Sequence, residues 1–217
     1  MLGRKIKKVI IDFDGVVIDS NLAFAEEFTT IGNNLTGKNV SIQDIFSKWG
    51  GSIHCLLLIF YPEISVEEYT KERVRLGFHL ITPPIFPGTF KALNQISRHR
   101  KLSILTNRRK DTLMADIGKL KIKPNLFERI QSRDDTFFAK PHPRVFDDFL
   151  TAYRADETLY IGDHIIDQQA AHGAGVHFVG VTCGGISTRE DFLNAGVSRK
   201  MILNSLADVP ARLGIFV

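Results

Sequence analysis

Lys8-Val9-Ile10-Ile11-Asp12-Phe13-Asp14-Gly15 is the stretch on which the reading of this chain turns. Its first four residues are short, β-branched and nearly unbroken in apolar character, which is how a strand buried on both faces of a parallel sheet reads. Two carboxylates follow at i and i+2 with no basic residue between them, and Gly15 then lets the chain turn away. Acids at the carboxyl end of such a strand lie where open α/β sheets bind their ligands. A carboxylate pair in that place wants a metal ion or a proton. By itself, D-x-D-G reads equally as a solvated acidic turn.

Outward from this strand, the chain divides into two kinds of pattern. From Asp19-Ser20-Asn21, a helix-capping sequence, to about Pro83 the periodicity is helical: Leu22 to Phe28, Ser41 to Lys48, Ser52 to Phe60 and Ser65 to about Leu80. Some sixty residues are too many for a plain loop in a compact domain. Residues 20–85 therefore read as an inserted helical subdomain, and residues 1–19 with 86–217 as an α/β core. Beyond Pro87-Gly88 helices alternate with strands. Helices are expected at Thr89 to Arg100, Asp111 to Leu120, Pro143 to Tyr153 and Ile165 to Ala174. Strands are expected at Leu102 to Leu105, Arg129 to Gln131, Thr158 to Ile161 and Val176 to Val181, with a last edge strand at Met201 to Leu203 before a terminal helix. That alternation means βαβ units and a Rossmann-like parallel sheet.

Composition narrows the function classes. The 217 residues carry a net charge of +4, and Cys55 and Cys183 are the only cysteines, too few for a disulfide framework. A reducing cytoplasmic location is the expectation. The longest apolar run, Cys55 to Tyr61, is far short of the roughly 20 residues of a membrane span. The basic N-terminus runs into an apolar stretch that ends in Asp12, unlike a secretory signal. Basic clusters at Arg98-His99-Arg100-Lys101 and Arg108-Arg109-Lys110 lack the broad stripe or interleaved aromatics of a nucleic-acid surface. No membrane or nucleic-acid partner is expected, and the protein is expected to be a monomer or homodimer.

Three more pieces recur at the ends of later strands. Leu102-Ser103-Ile104-Leu105 runs into Thr106-Asn107-Arg108; Lys140-Pro141-His142-Pro143 precedes a helical segment; Thr158-Leu159-Tyr160-Ile161 runs into Gly162-Asp163, with Asp167 four residues on. Acid pair, hydroxyl, lysine and then acid, in this order and over the whole chain, resembles the Asp-dependent phosphohydrolases of the haloacid dehalogenase superfamily. The inserted helical segment is similar to the cap of the phosphoglycolate-phosphatase-like and phosphoglucomutase-like branch.

The resemblance implies a division of labour. Asp12 matches the nucleophile that forms an aspartyl-phosphate, and Asp14 the acid that protonates the leaving group. Asp14 also argues against dehalogenation, since a halide departs without a proton. Thr106 matches the hydroxyl donor to the phosphoryl oxygens, with the Asn107 amide as a second donor, and Lys140 matches the cation that neutralises phosphate and Asp12 together. Asp12, Asp163 and the backbone carbonyl of Asp14 match ligands of Mg²⁺, and Asp167 would orient Lys140 or a metal-bound water. Arg108 is expected to attract the phosphorylated anion. In the cap, Lys48-Trp49-Gly50-Gly51-Ser52 matches the substrate-contacting loop, against the alternative that Trp49 simply packs in the cap core. The implied activity is Mg²⁺-dependent hydrolysis of a small phosphorylated metabolite. A sugar-phosphate mutase of the same fold, or a binding protein without turnover, are the alternatives; the first needs residues for a second hydroxyl, for which no clear signature is present. Zinc has little support, because the seven histidines show no HxH or HExxH spacing.

Overall fold

A computed structural model describes residues 5–49 and 53–215. Its contacts divide into two compact units, Met1–Asp19 with Pro84–Val217, and Ser20–Pro83. The second boundary falls at Pro83/Pro84, two residues before the one expected from sequence. The reason is local pairing: the Asp19 N–H donates to Pro84 O at 2.8 Å, the Phe86 N–H to Val17 O at 3.1 Å, and Ile18 bridges Ile85.

The larger unit is α/β. Its strands are β1 (Lys8–Ile11), β2 (Lys101–Leu105), β3 (Arg129–Gln131), β4 (Thr158–Gly162), β5 (His177–Val181) and β6 (Ile202–Leu203). They form one parallel sheet in the order β3-β2-β1-β4-β5-β6. Central β1 is buried at all four positions, and its side chains alternate between two cores. Val9 and Ile11 join Leu93, Ile96, Leu113 and Ile117 on one face, while Ile10 joins Val145, Phe146, Ala170 and Ala171 on the other. Helices thus cover both faces, which is why β1 lacks a polar face.

Some helices differ from their expected spans. The segment expected as one helix from Pro143 is a tight 3-10 turn, Pro143–Phe146, followed by a short α-helix, Asp147–Leu150. Pro143 offers no N–H, and the His142 ring accepts the Arg144 N–H at 3.2 Å, so the first turn winds tightly against a side chain. A helix not anticipated, Arg189–Asn194, starts at a capping box in which Thr188 and Asp191 satisfy each other's backbone N–H.

The smaller unit is helical among its described residues: Ser20–Thr36, Ile42–Ser47, Ile53–Phe60 and Val66–Arg75, then a 3-10 turn at Phe78–Leu80. Capping boxes at Ser41/Asp44 and Ser65/Glu68 start two of them. Its core is aromatic and centres on Phe28, whose ring lies 5.3 to 6.4 Å from those of Phe24, Phe60, Tyr61 and Tyr69. Among the described residues no helix is long and apolar enough to cross a membrane.

Candidate active site

The strand order turns at β1, and Asp12, Thr106 and Asp163 follow directly on β1, β2 and β4, at the carboxyl ends of strands around that point, where such sheets bind ligands. Asp12 extends the β1–β4 ladder by one bond, its N–H donating to Ile161 O at 2.8 Å. Thr106 does the same beyond β2, donating to Gln131 O at 3.0 Å. Each functional side chain therefore leaves a backbone that the sheet already holds.

Lys140 is the centre of the charge arrangement. Its buried ammonium donates to Asp12 Oδ2 at 2.5 Å and lies 2.7 Å from Asp167 Oδ1. It also donates to the Tyr160 hydroxyl at 3.0 Å. The other Asp12 oxygen accepts the Phe13 N–H at 2.7 Å. Asp167 accepts the His164 N–H at 3.0 Å on Oδ2. Both Asp167 oxygens are thus engaged by the protein, which suits a residue that orients Lys140.

Asp12, Asp163 and Asp167 place a carboxylate oxygen each within 4.8 Å of one another, all buried. Two of these carboxylates, Asp12 and Asp167, face the Lys140 ammonium, and the titration of the site follows. Burial raises the Asp12 carboxyl to about 7, with Asp167 and Asp14 adding to the rise and Lys140 opposing it. Burial pulls the Lys140 ammonium down, but Asp12 and Asp167 more than offset it and the net shift is upward. The pair therefore carries a fixed positive charge beside a carboxylate of variable charge. Two glycines make room for the acids. A Cβ on Gly162 would lie 2.4 Å from Asp167 Oδ2, and one on Gly184 2.2 Å from Asp163 Oδ2. Hard carboxylate oxygens, buried, crowded and short of positive charge are a donor set that fits a small divalent cation such as Mg²⁺.

Other expected residues are placed differently. Asn107 uses one of the two N–H groups of its amide within the protein. Its Nδ2 donates to Lys140 O at 3.1 Å and its Oδ1 accepts the Lys140 N–H at 3.0 Å, so the side chain ties the Lys140 loop to the end of β2. Arg108 lies against two acids, its guanidinium divided between Asp14 Oδ1, at 2.6 Å, and Asp116 Oδ2. Thr106 is buried, and its hydroxyl oxygen accepts the Arg108 N–H at 3.2 Å, which leaves its proton to donate. His142 and His164 each use Nδ1 to accept a backbone N–H at a helix start, from Arg144 and Ile166, and are accounted for as caps.

In the helical unit, Lys48 is exposed at the end of Ile42–Ser47. Trp49 meets the rings of Phe24 and Phe46 edge-on at 5.3 and 5.6 Å, which places it in that unit's aromatic core. Gly50 lies outside the described residues, as do Gly51 and Ser52.

Tyr160 escaped the sequence reading. It was legible only as a strand residue, but a tyrosine in a strand buried on both faces must find a partner for its hydroxyl. Here that hydroxyl lies 3.1 Å from Leu105 O and 3.2 Å from Asp167 Oδ1, and it accepts from Lys140. Asp116 was missed as well, since an acid in an amphipathic helix reads as a surface residue.

The chain has relatives of known name. It is 25% identical over 215 residues to the pyrophosphatase PpaX of Anoxybacillus flavithermus, covering 97% of this chain and 98% of that protein. It is 26% identical over 202 residues to the phosphoglycolate phosphatase of Yersinia pestis, covering 83% of each. The solved structure of a hydrolase from Pseudomonas syringae superposes with a TM-score of 0.71 at 25% identity, over 96% of this chain and 98% of that one. The family described as haloacid dehalogenase-like hydrolase matches residues 9–181, from the strand that carries Asp12 to the end of β5, and the chain belongs to that family.

Proposed function

We propose that this protein is a phosphatase that hydrolyses a small phosphomonoester through an aspartyl-phosphate. The observation that carries the reading is the Lys140 clamp: a buried ammonium 2.5 Å from Asp12 and 2.7 Å from Asp167, beside Asp163 at the turning point of the sheet. The similarity to a pyrophosphatase and to phosphoglycolate phosphatases supports the same class of chemistry.

In this reading an Asp12 carboxylate oxygen attacks phosphorus while the bond to the leaving oxygen breaks, and that oxygen departs with a proton from Asp14. Asp14, now a carboxylate, takes a proton from water. The resulting attack on the aspartyl-phosphate returns Asp12 and releases phosphate. The Thr106 hydroxyl donates to a phosphoryl oxygen, and the Lys140 charge neutralises the phosphoryl group and Asp12 together. Asp12 and Asp163, with the Asp14 carbonyl, would hold Mg²⁺, and Asp167 keeps Lys140 in place. A bound Mg²⁺ supplies positive charge that offsets repulsion between the attacking carboxylate and the phosphate.

The test is phosphate release from a panel of phosphomonoesters, sugar phosphates included, with EDTA and Asp12→Asn as controls. Release that stops in both controls is expected. Full turnover by Asp12→Asn would overturn the assignment, and isomerisation of a sugar phosphate without phosphate release would replace hydrolysis by mutase chemistry.

A further inference from the structure

Arg108 joins two carboxylates that the sequence keeps apart. One N–H of its guanidinium donates to Asp14 Oδ1 at 2.6 Å and another to Asp116 Oδ2 at 2.5 Å. All three groups are firmly held. The Arg108 backbone N–H donates to Thr106 Oγ1 at 3.2 Å, and its carbonyl accepts the Arg133 N–H at 2.9 Å. Its guanidinium carbon lies 5.9 Å from the centre of the Phe13 ring. Asp116 is 6% exposed on the helix Lys110–Lys119, flanked by Leu113 and Ile117, whose side chains enter the core. Burial raises the Asp116 carboxyl and Arg108 opposes the rise, so this acid is kept inside the protein at a cost that the guanidinium offsets only in part. Asp14 is half-buried and the most accessible of the three, its side chain 30% accessible.

Of a carboxyl's two oxygens the unprotonated one is the stronger acceptor, so a guanidinium N–H favours the oxygen that does not carry the proton. With Oδ1 of Asp14 held by Arg108, a proton on that carboxyl resides on Oδ2. We propose that Asp116 and Arg108 are positioning residues for Asp14: Asp116 sets the guanidinium, the guanidinium fixes Oδ1, and Oδ2 is thereby the oxygen that passes the proton to the leaving group. The proposal rests on the reading of Asp14 as general acid. It also assigns Arg108 to the acid, because its guanidinium is already shared between Asp14 and Asp116.

In the phosphorylation step, which kcat/KM reports, a residue that acts through the general acid matters only where the leaving group needs a proton; in the later attack of water Asp14 serves both substrates alike. The experiment therefore compares two substrates: the alkyl phosphomonoester that the protein turns over fastest, and 2,4-dinitrophenyl phosphate, whose leaving group departs unprotonated. For Asp116→Asn, kcat/KM on the alkyl ester is expected to fall about tenfold, and kcat/KM on the dinitrophenyl ester to fall less than about twofold. Asp116→Glu is expected to restore part of the loss. Arg108→Gln, at a partly exposed site, should repeat the pattern and serves should Asp116→Asn not fold, which a thermal melt decides. Equal losses of kcat/KM on both substrates, or no loss on either, for Asp116→Asn and Arg108→Gln would overturn the proposal. Asp12→Asn must abolish turnover of both esters; if it does not, the phosphatase reading has failed and not this inference alone.

Discussion

At the scale of single residues, Asp12 sits under opposing forces. Its bond to Lys140 favours the carboxylate, but burial wins and holds the carboxyl near 7, against an ordinary value of 3.8. Between those values only the folded protein retains the proton, so its stability falls as pH rises from about 4 through about 7. Without metal, denaturant titrations across that window should show wild type losing stability relative to Asp12→Asn, which has no proton to shed. A difference that does not change with pH would show that Lys140 outweighs burial. Added Mg²⁺ should reduce the loss, since it favours the carboxylate. Asp163 is argued in the same way. With its partners Asp12 and Asp167 intact, Asp163→Asn should cut the Mg²⁺-induced rise in melting temperature, because one charged oxygen leaves the donor set. An undiminished shift would move the cation elsewhere.

At the scale of elements, the site is a set of strand ends tied to one another by side chains. Asn107 fastens the Lys140 loop to β2, and Tyr160 on β4 reaches Leu105 O on β2 behind Lys140. The helical unit gives an independent test of how its elements meet. Gly32 lies inside the helix Ser20–Thr36, where alanine would ordinarily gain about 1 kcal/mol. A Cβ there would lie 2.1 Å from the Tyr61 ring, which is fully buried and hydrogen-bonded through its hydroxyl to Asn33 Oδ1 at 2.8 Å. The ring cannot give way without breaking that bond, so overpacking wins. Gly32→Ala should destabilise by about 1–3 kcal/mol in denaturant melts. A gain in stability would mean that the ring moves freely.

At the scale of the whole molecule, two units share one chain, and each has its own core. The ends of the larger one meet where Asp19 bonds Pro84, so a linker of a few Gly and Ser residues can stand in place of 20–83. That variant should melt cooperatively and keep a Mg²⁺-induced rise in melting temperature, as measured by calorimetry, because every acid of the cluster lies outside the replaced segment. Loss of cooperative melting would show that the larger unit depends on the insert to fold. Turnover of the phosphomonoester panel by the same protein would measure what the insert adds to selection.

How much of this was legible beforehand follows from the range of each interaction. Strand β1, the alternation of helices and strands, the helical insert and the acids at strand ends are local signals. They rest on apolar periodicity, caps and breakers within a few residues, and the sequence by itself determined them. Resemblance supplied the expected roles of Asp12, Asp14, Thr106, Lys140 and Asp163. Only tertiary structure decided which groups satisfy one another. Lys140 and Asp12 are 128 residues apart, and Arg108 and Asp14 are 94 apart. The Tyr160 hydroxyl, the amide of Asn107 and the Asp116 carboxylate each had several partners compatible with their residue type. A hydrogen bond is a competition among whatever donors and acceptors the folded backbone brings within reach, and that list does not exist until the sheet has formed. The types of the acids and cations were therefore readable from the chain, whereas their pairing, and with it the assignment of Arg108 to Asp14, came from the fold.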